Sequence, residues 1–167
     1  NFEFTIQECD EKKIKWVIID YLQLIPVPNG KGQSRDVEIG KITRFLKILA
    51  MKLEIPIIIL SQVNRKPNRP RYKLSDLRES GNIEQDADGV IFIFRPKIHG
   101  HKLYDIEDIE DIEVNDHTAV LQVEKWRSGQ PGDLLVEFHG KTSEFKSIDK
   151  SNISQVNFLN DANGLPF

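Results

Sequence analysis

The chain has 167 residues, 39% of them hydrophobic and 29% charged, the balance of a globular domain long enough to bury a core. No apolar stretch approaches the roughly 20 residues needed to span a bilayer. The N-terminus lacks the layout of a secretory signal, and the single cysteine, Cys9, excludes an internal disulfide and suits a reducing cytosol. The net charge of −3 argues against general polyanion binding, so any nucleic-acid contact must come from a local basic patch.

Residues 1–15 place no element. The run Trp16-Val17-Ile18-Ile19 then reads as a strand buried on both faces of a parallel sheet, and it ends abruptly in Asp20. A Pro/Gly-rich loop follows from Pro26 to Gln33, and a helix begins near Ser34 or Asp36, either a suitable N-cap. Ile42, Phe45, Leu46, Leu49 and Leu53 recur at helical spacing and give one apolar stripe. Pro56 stops the helix, and Ile57-Ile58-Ile59-Leu60 forms a second buried strand ending at Ser61-Gln62. Strand, crossover helix and strand make a right-handed βαβ unit, which puts Asp20 and Gln62 on the same sheet edge.

The segment from Arg65 to Lys73 holds five basic residues and no acid, and Pro67 and Pro70 make it a loop. Ser75 to Asp88 reads as polar and short-helical, with a helical turn starting near Asn82, and Val90 to Phe94 as a third buried strand. Asp105 to Glu113 spells DIEDIEDIE, a self-repelling tract that fits neither a strand nor a helical face and reads as an acidic insertion without chemistry. Ala119–Val123 and Leu134–Phe138 form a hairpin with a long Gly/Pro tip, and the stretch from 147 to 167 is a polar tail.

Four places offer chemistry. A carboxylate such as Asp20 at the C-terminal end of a parallel strand lies where open α/β sheets bind ligands, and in nucleotide motors it holds Mg²⁺; alone, it is equally a strand ending in a turn residue. Gln62 beside it can donate and accept hydrogen bonds and so sense a phosphate, or can simply start a loop. Around Gly81, free amides at a helix N-terminus and the Arg78 fork suit phosphate oxygens, against the reading of a capped solvent-facing helix. Lys125 and Arg127 alternate along a strand and share one face, as suits a phosphate arriving from outside the subunit, while Trp126 points the other way and packs. The histidines His99, His101, His117 and His139 lack metal-ligand spacing.

In order, VIIDYLQL, SQVNR, DLRESGNIEQDAD and KWRSG resemble the C-terminal motor domain of DnaB-type replicative helicases, from about Trp16 to Phe145. The resemblance implies an α/β fold, a RecA-like P-loop NTPase core with a mostly parallel sheet, helices and a C-terminal β-hairpin. It covers residues 16–146 with the acidic insertion at 105–113. It implies ATP and Mg²⁺ as cofactors, a homo-hexameric ring, translocation on single-stranded DNA at a bacterial or phage fork in the cytoplasm, and primase and a helicase loader as partners of the full protein. By the same resemblance Asp20 is the Walker B acid acting on Mg²⁺ and Gln62 the sensor glutamine. Arg78, Glu79 and Gly81 meet the DNA backbone, and Lys125 and Arg127 reach into the neighbouring subunit's nucleotide.

The departures are equally specific. No GxxxxGK[ST] occurs, so the phosphate-cradling loop, its Lys and its hydroxyl are absent, as is the family's catalytic glutamate. The chain is expected to be a piece of a full helicase that does not hydrolyse ATP by itself; the alternative is a truncated, non-catalytic DNA-binding or ring-assembly module. Without the P-loop strand, the strands ending at Gln62 and Phe94 must pair directly or leave a costly unpaired buried edge, so either a rearranged sheet or strand exchange between chains is expected.

Overall fold

A computed structural model describes residues 13–26, 34–63, 71–77, 80–101, 103–106 and 109–148. The chain divides into two units: one made of residues up to Arg65 together with Lys73–Asp88, the other of Lys66–Tyr72 together with the chain from Gly89 on.

The first unit holds β1 (Val17–Ile19), α1 (Arg35–Leu53), β2 (Ile57–Ile59) and α2 (Ser80–Asp86). β1 and β2 pair in parallel, Val17 beside Ile57 and Ile19 beside Ile59, as the βαβ reading requires. Their inward side chains Ile19, Ile57 and Ile59 pack on Leu22, Ile39, Ile42, Leu46 and Leu49, so the stripe read from helical spacing is the core. α1 ends where Glu54 takes a left-handed conformation (φ 54°), two residues before Pro56. Burial on both faces is not realised. Ile18 and Ile58, on the opposite face, are each 50% exposed, because α1 covers one face of the pair and no described element covers the other.

α2 lies against α1. Asn82 donates from Nδ2 to the Asp36 carbonyl (3.1 Å), and its side chain lies over Gly40, where an added Cβ would come within 2.6 Å. The Thr43 hydroxyl donates to Asp86 (2.7 Å), Arg44 lies 3.6 Å from the same carboxylate, and Lys47 pairs with Asp88. The helical turn expected at Asn82 therefore starts earlier, at Ser80.

The second unit is built on an antiparallel sheet ordered β3 (Gly89–Phe94), β6 (Thr118–Trp126), β7 (Gly132–His139) and β8 (Glu144–Ser147). Val90, Phe92 and Phe94 are buried while Ile91 and Ile93 are half-exposed, so this strand too is covered on one face only. The parallel part of the fold is thus confined to β1–β2 among the described strands. β2 and β3 do not pair with each other; each keeps an edge without a described partner strand. The acidic tract is not shapeless: β4 (Leu103–Ile106) and β5 (Ile109–Glu113) form an antiparallel hairpin. Its recurring isoleucines have the β-branched shape that favours strands, a preference the charge pattern concealed. β8, which runs up to the first residue of the expected tail, pairs with β7, with Phe138 beside Phe145.

Candidate functional site

In the first unit the parallel register delivers two polar strand ends to one edge. The ladder runs past the strands: Leu60 N–H donates to the Ile19 carbonyl (2.9 Å) and Leu22 N–H to the Leu60 carbonyl (2.9 Å). Asp20 leaves the sheet beside Leu60, with Ser61 and Gln62 just beyond, and both Asp20 and Gln62 are exposed. Gln23, which spacing alone did not single out, donates from Nε2 to Ser61 Oγ (3.0 Å) and links the two strand ends through side chains. Its Oε1 is buried with no hydrogen-bond partner among the described residues, an acceptor for a donor arriving at this edge.

Arg35 fixes the chain that leaves Asp20. Its guanidinium donates to the carbonyls of Gln23 (3.0 Å) and Ile25 (3.1 Å) and to Glu38 (2.7 Å), tying the turn Leu22–Leu24 to the start of α1. The donors at this edge are a carboxylate, a hydroxyl and amide oxygens, the hard-oxygen chemistry that suits Mg²⁺. No group of three or more His, Cys, Asp or Glu gathers among the described residues, and the carboxylate that the strand ends bring to this edge is Asp20. That share fits a site completed by water and substrate phosphates.

Gly81 is exposed on α2, with nothing within 4 Å of where a Cβ would stand and a φ outside the positive range. Packing among the described residues does not require glycine there, and the open space leaves the backbone approachable. Arg78 and Glu79 lie outside the described residues. Two acids of this segment, Asp86 and Asp88, are engaged by Thr43, Arg44 and Lys47 of α1.

In the second unit β6 ends at Trp126, so Lys125 is in the strand and Arg127 in the exposed turn leading to β7. The strand alternation expected to give the two cations a common face stops between them. Trp126 packs on one side only: a Cβ on Gly89 would meet its ring at 2.6 Å and one on Gly129 at 2.9 Å, while the residue stays 45% exposed. The ring holds the turn down over glycines that leave room for it. Of the basic segment, Arg71 is an ion-pair residue, 2.7 Å from Asp133 and 3.4 Å from Glu124. Nothing in its local sequence marked this, since both partners lie more than fifty residues away.

A βαβ unit ending in Asp20 and Gln62, followed by an antiparallel hairpin bearing Lys125, defines a RecA-like α/β fold, and solved ATPase domains share it. The ATPase domain of G40P matches with a TM-score of 0.71 and 31% identity, over 88% of this chain and 51% of that one. A DnaB-like replicative helicase, solved for its interactions with primase, matches with a TM-score of 0.71 and 30% identity, over 88% of this chain and 36% of that one.

The DnaB-like helicase C-terminal domain family matches residues 3–147, and the chain belongs to that family. The replicative DNA helicase DnaB of Buchnera aphidicola subsp. Baizongia pistaciae is 42% identical over 141 residues, covering 83% of this chain and 28% of the relative. That of Pasteurella multocida is 42% identical over 135 residues, covering 79% and 27%. The chain therefore spans a little over a quarter of the length of these relatives. No helix among the described residues is long and apolar enough to cross a membrane.

Proposed function

We propose that this chain is the C-terminal part of a hexameric, ATP-dependent replicative DNA helicase, which translocates on single-stranded DNA and unwinds the duplex at the fork. The single observation that carries the reading is the parallel register of β1 and β2, which brings Asp20 and Gln62 out at one edge with the Gln23–Ser61 hydrogen bond between them. Asp20 would hold Mg²⁺ through water, Gln62 would face the phosphates, and Arg35 keeps the turn that follows Asp20 in place. Bound ATP with Mg²⁺ supplies a phosphoryl group able to transfer to water. Arg78, Glu79 and Gly81 meet the DNA backbone. Lys125 and Arg127 act from the neighbouring subunit, stabilising charge that develops on the transferring group. Primase and a loader act on the full protein in the cytoplasm.

The residues here form half of such a site, since the sequence contains no phosphate-cradling GxxxxGK[ST]. The second reading is a non-catalytic DNA-binding or ring-assembly module. Single-strand binding and ATP turnover by the whole encoded protein separate the two. The helicase reading expects turnover stimulated by single-stranded DNA and abolished by Asp20→Asn. Salt-sensitive DNA binding with no turnover and no response to ATP contradicts it.

A further inference from the structure

β6 does not run regularly into its turn. Phe94, Phe92 and Ile91 of β3 stand opposite Val120, Gln122 and Val123, but Val90 stands opposite Lys125, so Glu124 is an extra residue in a β-bulge. Its effect is specific. Plain alternation from Leu121 and Val123 would put Lys125 on the face of half-exposed Ile91 and Ile93. The bulge instead sets Lys125 opposite Val90, on the face that holds Phe92, Phe94 and fully buried Gln122. The direction of Lys125 therefore depends on one extra residue staying where it is.

Arg71 holds that residue. Its guanidinium lies 3.4 Å from Glu124 on β6 and 2.7 Å from Asp133 on β7, whose side chain is 1% exposed. Asp133 stands opposite Gln122, and Gln122 Oε1 accepts the Tyr72 backbone N–H at 3.0 Å. The Tyr72 ring stacks on Phe92 at 5.2 Å. Residues 71 and 72 thus fasten across β3, β6 and β7 at the level of the bulge, just before the turn that bears Arg127. Without the fork, two carboxylates on adjacent strands lose the cation between them, and the bulge loses its anchor.

We propose that Arg71 is a positioning residue: through Glu124 and Asp133 it locks the bulge that aims Lys125, and the turn after it, at the phosphate of an adjoining subunit. The role rests on the hairpin reading above, so its test carries a control for that reading. In the whole encoded protein, Arg71→Met is combined with Asp133→Asn, so that the almost fully buried Asp133 carboxylate is not left charged without its guanidinium. Lys125 is then misdirected without loss of nucleotide binding. The expected result is a kcat lowered about ten- to a hundredfold with the KM for ATP unchanged and Tm near that of the parent. Arg71→Lys, which keeps the charge but not the two-pronged reach, falls between them with its Tm unchanged.

A folded double variant with parental kcat overturns the proposal, and so does an Arg71→Lys variant whose kcat follows its Tm. If the double variant does not fold, Arg71→Lys alone decides: lowered kcat at parental Tm supports the role, and parental kcat refutes it. Arg127→Ala is run alongside. If it turns over normally, the hairpin reading fails and Arg71's role with it. If it is inactive while the Arg71 variants are not, only the positioning role fails.

Discussion

The two units carry their functional residues in different ways. In the first, Asp20 and Gln62 are strand-end residues, placed by backbone register and supported by contacts close in sequence or on the ladder itself: the Gln23–Ser61 hydrogen bond and the backbone carbonyls that receive Arg35. In the second, Lys125 follows a bulge stabilised by an ion-pair network, and Arg127 sits on a turn weighted by Trp126 over two glycines. A group that receives metal and substrate at a fixed edge can rely on the ladder for its position. A group that reaches outward needs its direction set by side chains, which makes it sensitive to substitutions far along the sequence.

The sharpest way to break this comparison is Arg127→Ala in the whole protein. Loss of a charge supplied to the transferring group is expected to lower ATP turnover by about 10³-fold or more, measured by phosphate release with DNA present. Asp20→Asn is expected to cost on the order of a hundredfold or more, with Mg²⁺ dependence altered, since a metal-held phosphoryl oxygen is worth several kcal/mol. Leu46→Ala tests the backbone side. It opens the core beneath β1 and β2 and should lower unfolding free energy by roughly 2–5 kcal/mol in denaturant titration. Gly89→Ala pushes a methyl into the Trp126 ring and should cost about 1–3 kcal/mol, with a larger effect on kcat than its stability loss explains. Gly81→Ala has the smallest expected effect on the fold, a gain of about 0.5–1 kcal/mol from helix propensity. It should still weaken single-strand binding if a DNA backbone approaches the open space there.

Much of the first unit was legible because its determinants are local. The apolar stripe of α1, the isoleucine runs and Pro56 each speak within a few residues, and the β-strand ends followed from them. What escaped was non-local. One-sided burial of β1 and β3 depends on which elements cover a sheet, and the antiparallel pairing of β3 with β6 spans about thirty residues of chain. The bulge at Glu124 could not be placed from a strand that runs Ala119, Val120 and Leu121 together and then sets Glu124 beside Lys125, since neither break in alternation says which residue pairs with β3. Arg71 looked like one of five equivalent cations in a loop, and only its carboxylate partners distinguish it. Gln23 was hidden for the opposite reason, lying inside a recognisable motif where its hydrogen bond to Ser61 had no spacing signal.

The central claim is that Asp20 and the Lys125/Arg127 turn serve different nucleotides, one in its own subunit and one next door. Mixing Asp20→Asn and Arg127→Ala proteins, each inactive alone, tests it directly. In a head-to-tail ring assembled at random from equal amounts, about a quarter of the interfaces join an intact Asp20 to a neighbour's intact Arg127. The account predicts that ATP turnover returns on mixing, toward that fraction of the parental rate. If turnover stays at the level of the separate variants in rings shown to contain both, the two regions act on the same nucleotide and the account is wrong.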